Sequence, residues 1–316
     1  MKCSKIIVLI LVSIFFLLIL AFIIDYATIN IRYLINKKDY KDSLTIVGNK
    51  NGYIPQGLAY SEKYNVALQT SYNSKHKVSK LYVIDFSNNT LLKELELRDS
   101  KNQENKTHVG GIATDNTTVW ITSDYLVSEF NLEEIINTDN NYINSYYEQE
   151  LSIRGDFATV GNGYLIIGDF FLKPFYNVPN DTPLMYYYDL KDIDYKYPIY
   201  AATVPKMVQG LTITSDNKYI FTRSFTYLIN SDLVIYDNPL DNEGESIEIN
   251  NRDVPLYHFS KKNYINNIKL PPMAEGLFNK DKKLYILFES SCDTYILAYP
   301  KIKNIIELDI NKIDRN

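Results

Sequence analysis

From residue 6 to residue 24 the chain reads IIVLILVSIFFLLILAFII, and Ser13 is the one polar position in that run. At about 1.5 Å per residue, such a stretch nearly crosses a hydrocarbon core of about 30 Å. The pattern predicts a transmembrane helix over 6–24, after a short tip at 1–5. Lys2 and Lys5 precede it and Asp25 follows it. Positive charge at the short N-terminal end favours an N-inside orientation, with the rest of the chain outside the cytoplasm. Arg32, Lys37 and Lys38 oppose this and are diluted by Asp39 and Asp42. A cleaved signal peptide is the alternative. Its apolar region would be shorter and followed by a small-x-small site, which LAFIIDYATIN does not offer. Residues 25–42 then form a connector, with Tyr26 and Tyr33 suited to a membrane interface.

Beyond the connector the hydrophobic pattern changes period. VALQTSY, KLYVIDF, TVWITSD, GYLIIGDF, LMYYYDL, KYIFTRSF, DLVIYD and KLYILFES are short β-branched and aromatic runs separated by Asn, Asp, Gly and Ser. Each reads as a strand. The segment 133–150 comes nearest to a helical period, and Asp/Asn clusters interrupt it. One small unit recurs: a Gly, a short apolar strand, a polar turn, then a second apolar strand. It begins at Gly57, Gly111, Gly155, Gly210 and Gly276, at intervals of 54, 44, 55 and 66 residues. From each glycine to the Ser or Gly near the end of the second strand is 14, 12, 13, 14 and 14 residues. An interval of this size holds about four strands. Repeats made only of strands predict an all-β domain over 43–316 built as a β-propeller. A sandwich or jelly roll would not repeat one unit. Five blades are expected, with a sixth inside 210–276 as the alternative. Residues 43–48 are placed to complete the last blade.

In a propeller the first strand of each blade lines the axis and the second runs antiparallel to it. The start of the first and the end of the second therefore meet at one end of the tunnel. Residues just before the glycines form one ring: Gln56, Gly110, Arg154, Gln209 and Glu275, with His108 close by. Residues closing the second strands form another: Tyr72, Asp124, Asp169, Arg223 and Glu289. The expected ligand-binding set is Gln56, His108, Asp124, Arg154, Asp169, Gln209, Arg223, Glu275 and Glu289. Clefts with a few convergent polar groups are where ligands bind. Capping of strand ends is the structural alternative for each of these residues.

Composition narrows the partners. The net charge is −5, which argues against nucleic acid. Cys3 and Cys292 would lie on opposite sides of the membrane, which leaves no internal disulfide. The three histidines are scattered, without zinc-ligand spacing. The 28 tyrosines offer carbohydrate-stacking surface, or simply accompany a composition rich in Asn, Lys and Ile. Three chemistries use the mouth residues. Carboxylates and amide oxygens suit a hard cation such as calcium. A carboxylate pair, or His108, suits acid–base hydrolysis with Glu275, Glu289 and His108 as catalytic candidates. Arg154 and Arg223 suit an anionic or sugar ligand.

YIPQGLAY, HVGGIAT and PPMAEGL…LYILFESS resemble bacterial secreted or membrane-anchored propeller proteins. More distantly they resemble the esterase-like-of-phytase, gluconolactonase and NHL-repeat propellers. The gluconolactonase resemblance implies calcium at the tunnel mouth, held by Glu, Asn and Asp. Of that set only Glu275 has a matching place. The expectation is a membrane-anchored, extracytoplasmic propeller that binds a small molecule, glycan or envelope protein at its mouth. The alternative is a calcium-assisted hydrolase of an ester, lactone or glycan.

Overall fold

The computed structural model describes residues 2–37, 40–241 and 244–310. An apolar helix, α1 (Lys2–Asn36), precedes an all-β domain. Its stretch Lys5–Ile31 is long and apolar enough to cross a membrane. The helix continues through most of the expected connector. Ile29 is buried against the β domain, Tyr33 packs on an apolar cluster there, and the Tyr26 ring lies 6.0 Å from that of Tyr299.

Strand β1 (Lys41–Thr45) comes next, then β2 (Tyr53–Ser61), β3 (Val66–Asn73), β4 (Lys80–Asp85) and β5 (Thr90–Arg98), which make the first blade. The second holds β6 (Gly111–Thr114), β7 (Thr118–Ser123) and β8 (Leu126–Asn131). A short helix, α2 (Leu132–Asn137), follows. Then β9 (Tyr142–Asn144) adds to β5 in parallel, and β10 (Tyr147–Glu150) completes the second blade. The third has β11 (Phe157–Gly161), β12 (Tyr164–Gly168), β13 (Leu184–Asp189) and β14 (Tyr200–Thr203). The fourth has β15 (Val208–Ile213), β16 (Tyr219–Arg223), β17 (Ser231–Tyr236) and β20 (Tyr264–Leu270). Between β17 and β20, β18 (Glu245–Ile249) and β19 (Arg252–His258) form a hairpin whose second strand pairs in parallel with β14. The long 210–276 interval is therefore an extension of the third blade, and the propeller has five blades. The fifth holds β21 (Ala274–Lys280), β22 (Lys283–Phe288) and β23 (Asn304–Asp309), with β1 paired antiparallel to β23. The first and last strands thus close the ring in one sheet.

The turn chemistry recurs with the blades. Hairpins between first and second strands pass through Asn65, Asn116, Asn162 with Gly163, Asn217, and Asp281 with Lys282, all with positive φ. Asn and Asp tolerate that conformation best among residues with a side chain. Inner strands are buried on both faces because blades stack side by side. β3 is buried almost throughout, whereas the outer β5 is largely open at its start. The apolar clusters lie between blades. One joins the first and second blades through Leu68, Leu95, Ile121 and Phe130; another joins the third and fourth through Phe157, Tyr187, Leu211 and Phe221. Many tyrosines belong to this packing. Tyr82, Tyr187, Tyr188 and Tyr219 are among the largest fully buried side chains.

Candidate functional site

The five first strands β2, β6, β11, β15 and β21 stand side by side in a closed circle. They come so close that side chains are missing where they meet. A Cβ on Gly276 would sit 2.4 Å from the Leu58 nitrogen, and one on Gly57 2.7 Å from Ile112 Cγ2. A gap of about 10 Å³ at this waist is ringed by Gly57, Gly110, Gly111, Gly210 and Gly276 together with Leu58, Ile112 and Leu277. On one side of it the tunnel widens to a cavity of about 330 Å³.

Threonines of the second strands lock the circle. The Thr70 hydroxyl accepts from Gly57 N at 2.9 Å and donates to the Val109 carbonyl of the next blade at 2.8 Å. Thr222 donates to the Glu275 carbonyl at 2.6 Å. Several inner strands are entered through left-handed backbone, at Val109, Met207 and Met273. For a β-branched residue such as Val109 this is strained, and strain of this kind concentrates at functional sites.

The cavity is lined by Gln56, His108, Asp124, Arg154, Gln209, Glu275 and Glu289, and also by Asp156 and the rings of Tyr72, Phe170, Tyr176, Phe225 and Tyr295. Glu275, on β21, is 2% exposed. Burial, then the negative charge of Glu289, holds its carboxyl well above the usual carboxylate range, and the two side chains are hydrogen-bonded. Glu289 is also raised by burial. Hydrogen bonds from Tyr295, Glu275 and Gln56 oppose that rise. The Tyr295 hydroxyl donates to Glu289 Oε2 at 2.8 Å, and Gln56 Nε2 donates to the same oxygen at 3.4 Å. Glu275 therefore holds a proton near neutrality and donates it toward Glu289. Like carboxylates in one dry site share a proton in this way because both cannot ionise together.

Across the cavity, Arg154 donates through Nη2 to Asp156 Oδ1 at 2.9 Å and lies 3.7 Å from Asp124. Its Nε is buried without a partner among the described residues. Burial pushes the Asp156 carboxyl up to about 6, against the pull of Arg154. The His108 ring packs on that of Tyr72 at a tilt of 34°, with centroids 4.4 Å apart. The imidazole is open to the cavity but ringed by protein, and this surrounding pushes its pKa down to about 4. The imidazole is therefore neutral at pH 7.

Two expected site residues stand elsewhere. Asp169 is buried behind the wall and accepts from Arg154 N at 2.8 Å and Leu184 N at 3.4 Å. It fastens the third blade's entry loop. Arg223 turns its Nε onto the Lys206 carbonyl at 2.8 Å and does not line the cavity. The missed charged residue is Asp156. In the third blade the small and large partners are exchanged. Phe157 pairs with Gly168 where Gly111 pairs with Thr122 and Gly210 with Thr222. The glycine of the sequence unit, Gly155, lies just before the strand. The ring position belongs to Asp156, while Arg154 reaches the cavity from the loop.

The calcium implied by resemblance finds no cage here. Among the described residues no group of three or more His, Cys, Asp or Glu is arranged to hold a metal ion. Glu275, its one matching residue, is engaged as an acid with Glu289.

No family model matches the chain, and no curated protein matches it. Solved structures give a distant β-propeller relationship. The chain is similar to the glutaminyl cyclase of Myxococcus xanthus at 10% identity and a TM-score of 0.49, covering 85% of this chain and 94% of that one. It is also similar to the PQQ-bound aldose sugar dehydrogenase of Streptomyces coelicolor, at 12% identity and a TM-score of 0.47, with coverage of 85% and 96%. A third similarity is to the Dos1 propeller, at 9% identity and a TM-score of 0.35, covering 81% of this chain and 57% of that one. These likenesses concern the fold alone.

Proposed function

We propose that this chain is a membrane-anchored propeller, held outside the cytoplasm, that binds a small neutral polar ligand, such as a mono- or disaccharide, in the cavity at its mouth. The observation that carries the reading is the proton-sharing pair of Glu275 and Glu289, set in an enclosed polar cavity. Such a pair keeps its proton between the two carboxyls and leaves oxygen lone pairs that can accept from the hydroxyls of a ligand. Gln56 and Gln209 add carboxamides, and Tyr176, Phe170 and Phe225 supply ring faces for stacking. The positive charge of Arg154 is already matched by Asp156 and Asp124, so an anionic ligand would find no spare cation there. The volume lies at the lower end of the range usual for small-molecule sites. The test is thermal unfolding of the full-length protein in detergent, with panels of neutral sugars and of carboxylates. A bound ligand raises apparent stability by mass action. A rise of several degrees with one class of sugar supports the reading. A rise confined to carboxylates, or none with any sugar, contradicts it.

The same pair favours a second reading, hydrolysis of an ester or lactone. A dyad sharing one proton can activate water and protonate a leaving oxygen. Glycosidases by contrast hold their two carboxyls about 5–10 Å apart, which Glu275 and Glu289, hydrogen-bonded to each other, do not match. Turnover of p-nitrophenyl acetate or glucono-δ-lactone, abolished in both Glu275→Gln and Glu289→Gln, supports hydrolysis. Equal turnover by wild type and both variants removes the dyad from it.

A further inference from the structure

We propose that the cavity-bearing face of the propeller lies flat on the membrane that holds α1, with its loops in the lipid headgroup layer; this rests on reading α1 as an anchor. The argument starts from where exposed apolar side chains sit. Loops joining second to third strands all emerge at the cavity end. They carry Phe175, Phe225, Ile229, Ile296, Leu297 and Tyr299, which make up much of the large apolar surface that the described part of the propeller leaves open. Ile296 is 86% exposed, Phe175 69%, and Leu297 and Ile229 60% each. Phe175 and Phe225 stack on each other at 6.0 Å, so part of this surface is contiguous. Concentrations of exposed apolar side chains on one face mark contact with a partner or a membrane. The corresponding loop of the first blade carries Lys75 and Lys77, both exposed, which suits lipid phosphates.

The helix identifies the partner as lipid. Tyr299, in the loop that also sends Tyr295 into the cavity, meets Tyr26. Further along α1, Tyr33 packs against the fifth blade and its neighbours, and Ile29 is buried. Residues before Tyr26 therefore leave the propeller at its cavity end, fully exposed. The unbroken apolar run ends at Ile24, and Asp25 follows. The edge of the hydrocarbon then falls at the level of Tyr26, which is the level of the loop holding Ile296, Leu297 and Tyr299. Aromatic side chains with a polar tip favour that depth. A ligand would reach the cavity from within the headgroup layer.

The test uses the full-length protein in phosphatidylcholine vesicles, with Cys3→Ser in the background. A polarity-sensitive dye is attached at Ile296→Cys, or at Lys282→Cys in the hairpin at the opposite end. Nitroxide-labelled lipid should quench the dye at 296 several-fold more than the dye at 282. Equal quenching at the two sites, in protein that floats with the vesicles, overturns the inference while leaving the anchor standing. Protein that fails to float overturns both.

Discussion

Thr222, on the second strand of the fourth blade, donates its hydroxyl proton to the backbone carbonyl of Glu275, on the first strand of the fifth. The bond fixes the strand that carries the cavity's acidic pair, so packing between blades and geometry of the site depend on each other.

Thr222→Val keeps the shape and removes the donor. The buried Glu275 carbonyl then loses that bond, which costs about 1–3 kcal/mol. Thr70→Val should cost a similar amount, because Thr70 makes the corresponding link from Gly57 to Val109. Chemical denaturation of each variant checks this, and an unchanged midpoint in both would remove the threonines from ring closure.

The waist glycines should be intolerant for steric reasons. Gly276→Ala places a methyl 2.4 Å from the Leu58 backbone nitrogen. A strand, not a flexible side chain, would have to move, and a loss of about 3 kcal/mol or more is expected. Gly163→Ala is the control. Its Cβ meets nothing within 4 Å, and only the positive φ of the turn is penalised, by about 1 kcal/mol. Equal losses by denaturation would contradict the crowded waist.

The buried acids give stability a definite dependence on pH. Asp169 has its folded pKa pushed up to about 7 by burial, then by Asp156, and Glu275 is raised well above its ordinary value. Both bind a proton more readily in the folded chain. Their stabilisation is complete below the unfolded pKa and is lost as pH rises through the folded one. His108 has the opposite sign. Its contribution is present above the unfolded pKa of 6.5 and fades as pH falls toward about 4. Between about pH 5 and pH 8 the acids dominate, and the protein should lose about 2 kcal/mol or more. Glu275→Gln should flatten that slope in denaturant titrations. An identical slope would mean that Glu275 ionises normally.

Trp120 donates its indole N–H to the Tyr195 hydroxyl at 2.8 Å, and that hydroxyl donates to Glu129. Tyr195→Phe leaves the indole and the carboxylate without this partner. A loss of about 1–3 kcal/mol is expected, with a shift in emission from Trp120, the one tryptophan of the chain. Unchanged fluorescence and stability would show that the two rings do not communicate.

The N-terminal segment should divide cleanly. Removing residues 1–36 takes away α1 with its contacts at Ile29 and Tyr33, and should leave a cooperative propeller within a few degrees of the original midpoint. Removing 1–46 also takes β1, the outer strand of the closing blade. Thermal unfolding should then broaden or drop sharply. Similar curves for both truncations would mean that ring closure does not stabilise the fold.

Much of this was legible in the sequence because it repeats. Gly57, Gly210 and Gly276 are forced by crowding at the axis, and their constant distance to the second strand reflects one hairpin length. The third blade hides its register by placing the bulky Phe157 on the inner strand and the glycine, Gly168, on its partner, so the residue before the glycine of its sequence unit is Arg154 while the ring position falls to Asp156. The β18–β19 hairpin was not legible because its partner, β14, lies more than 40 residues upstream. Helix α1 runs past its apolar stretch because Tyr33 finds an apolar surface at the fifth blade that only the folded propeller presents. The aromatic lining from Tyr176, Phe225 and Tyr295 comes from loops without a repeat, which periodicity does not reach.

The most direct measurement compares wild type and Glu275→Gln, full length and in detergent, against one panel of neutral sugars by thermal unfolding. The two proteins should unfold within a few degrees of each other without additive, and only the wild type should rise with a sugar that binds. A variant that keeps the full rise would place the ligand away from Glu275 and contradict the cavity as its site.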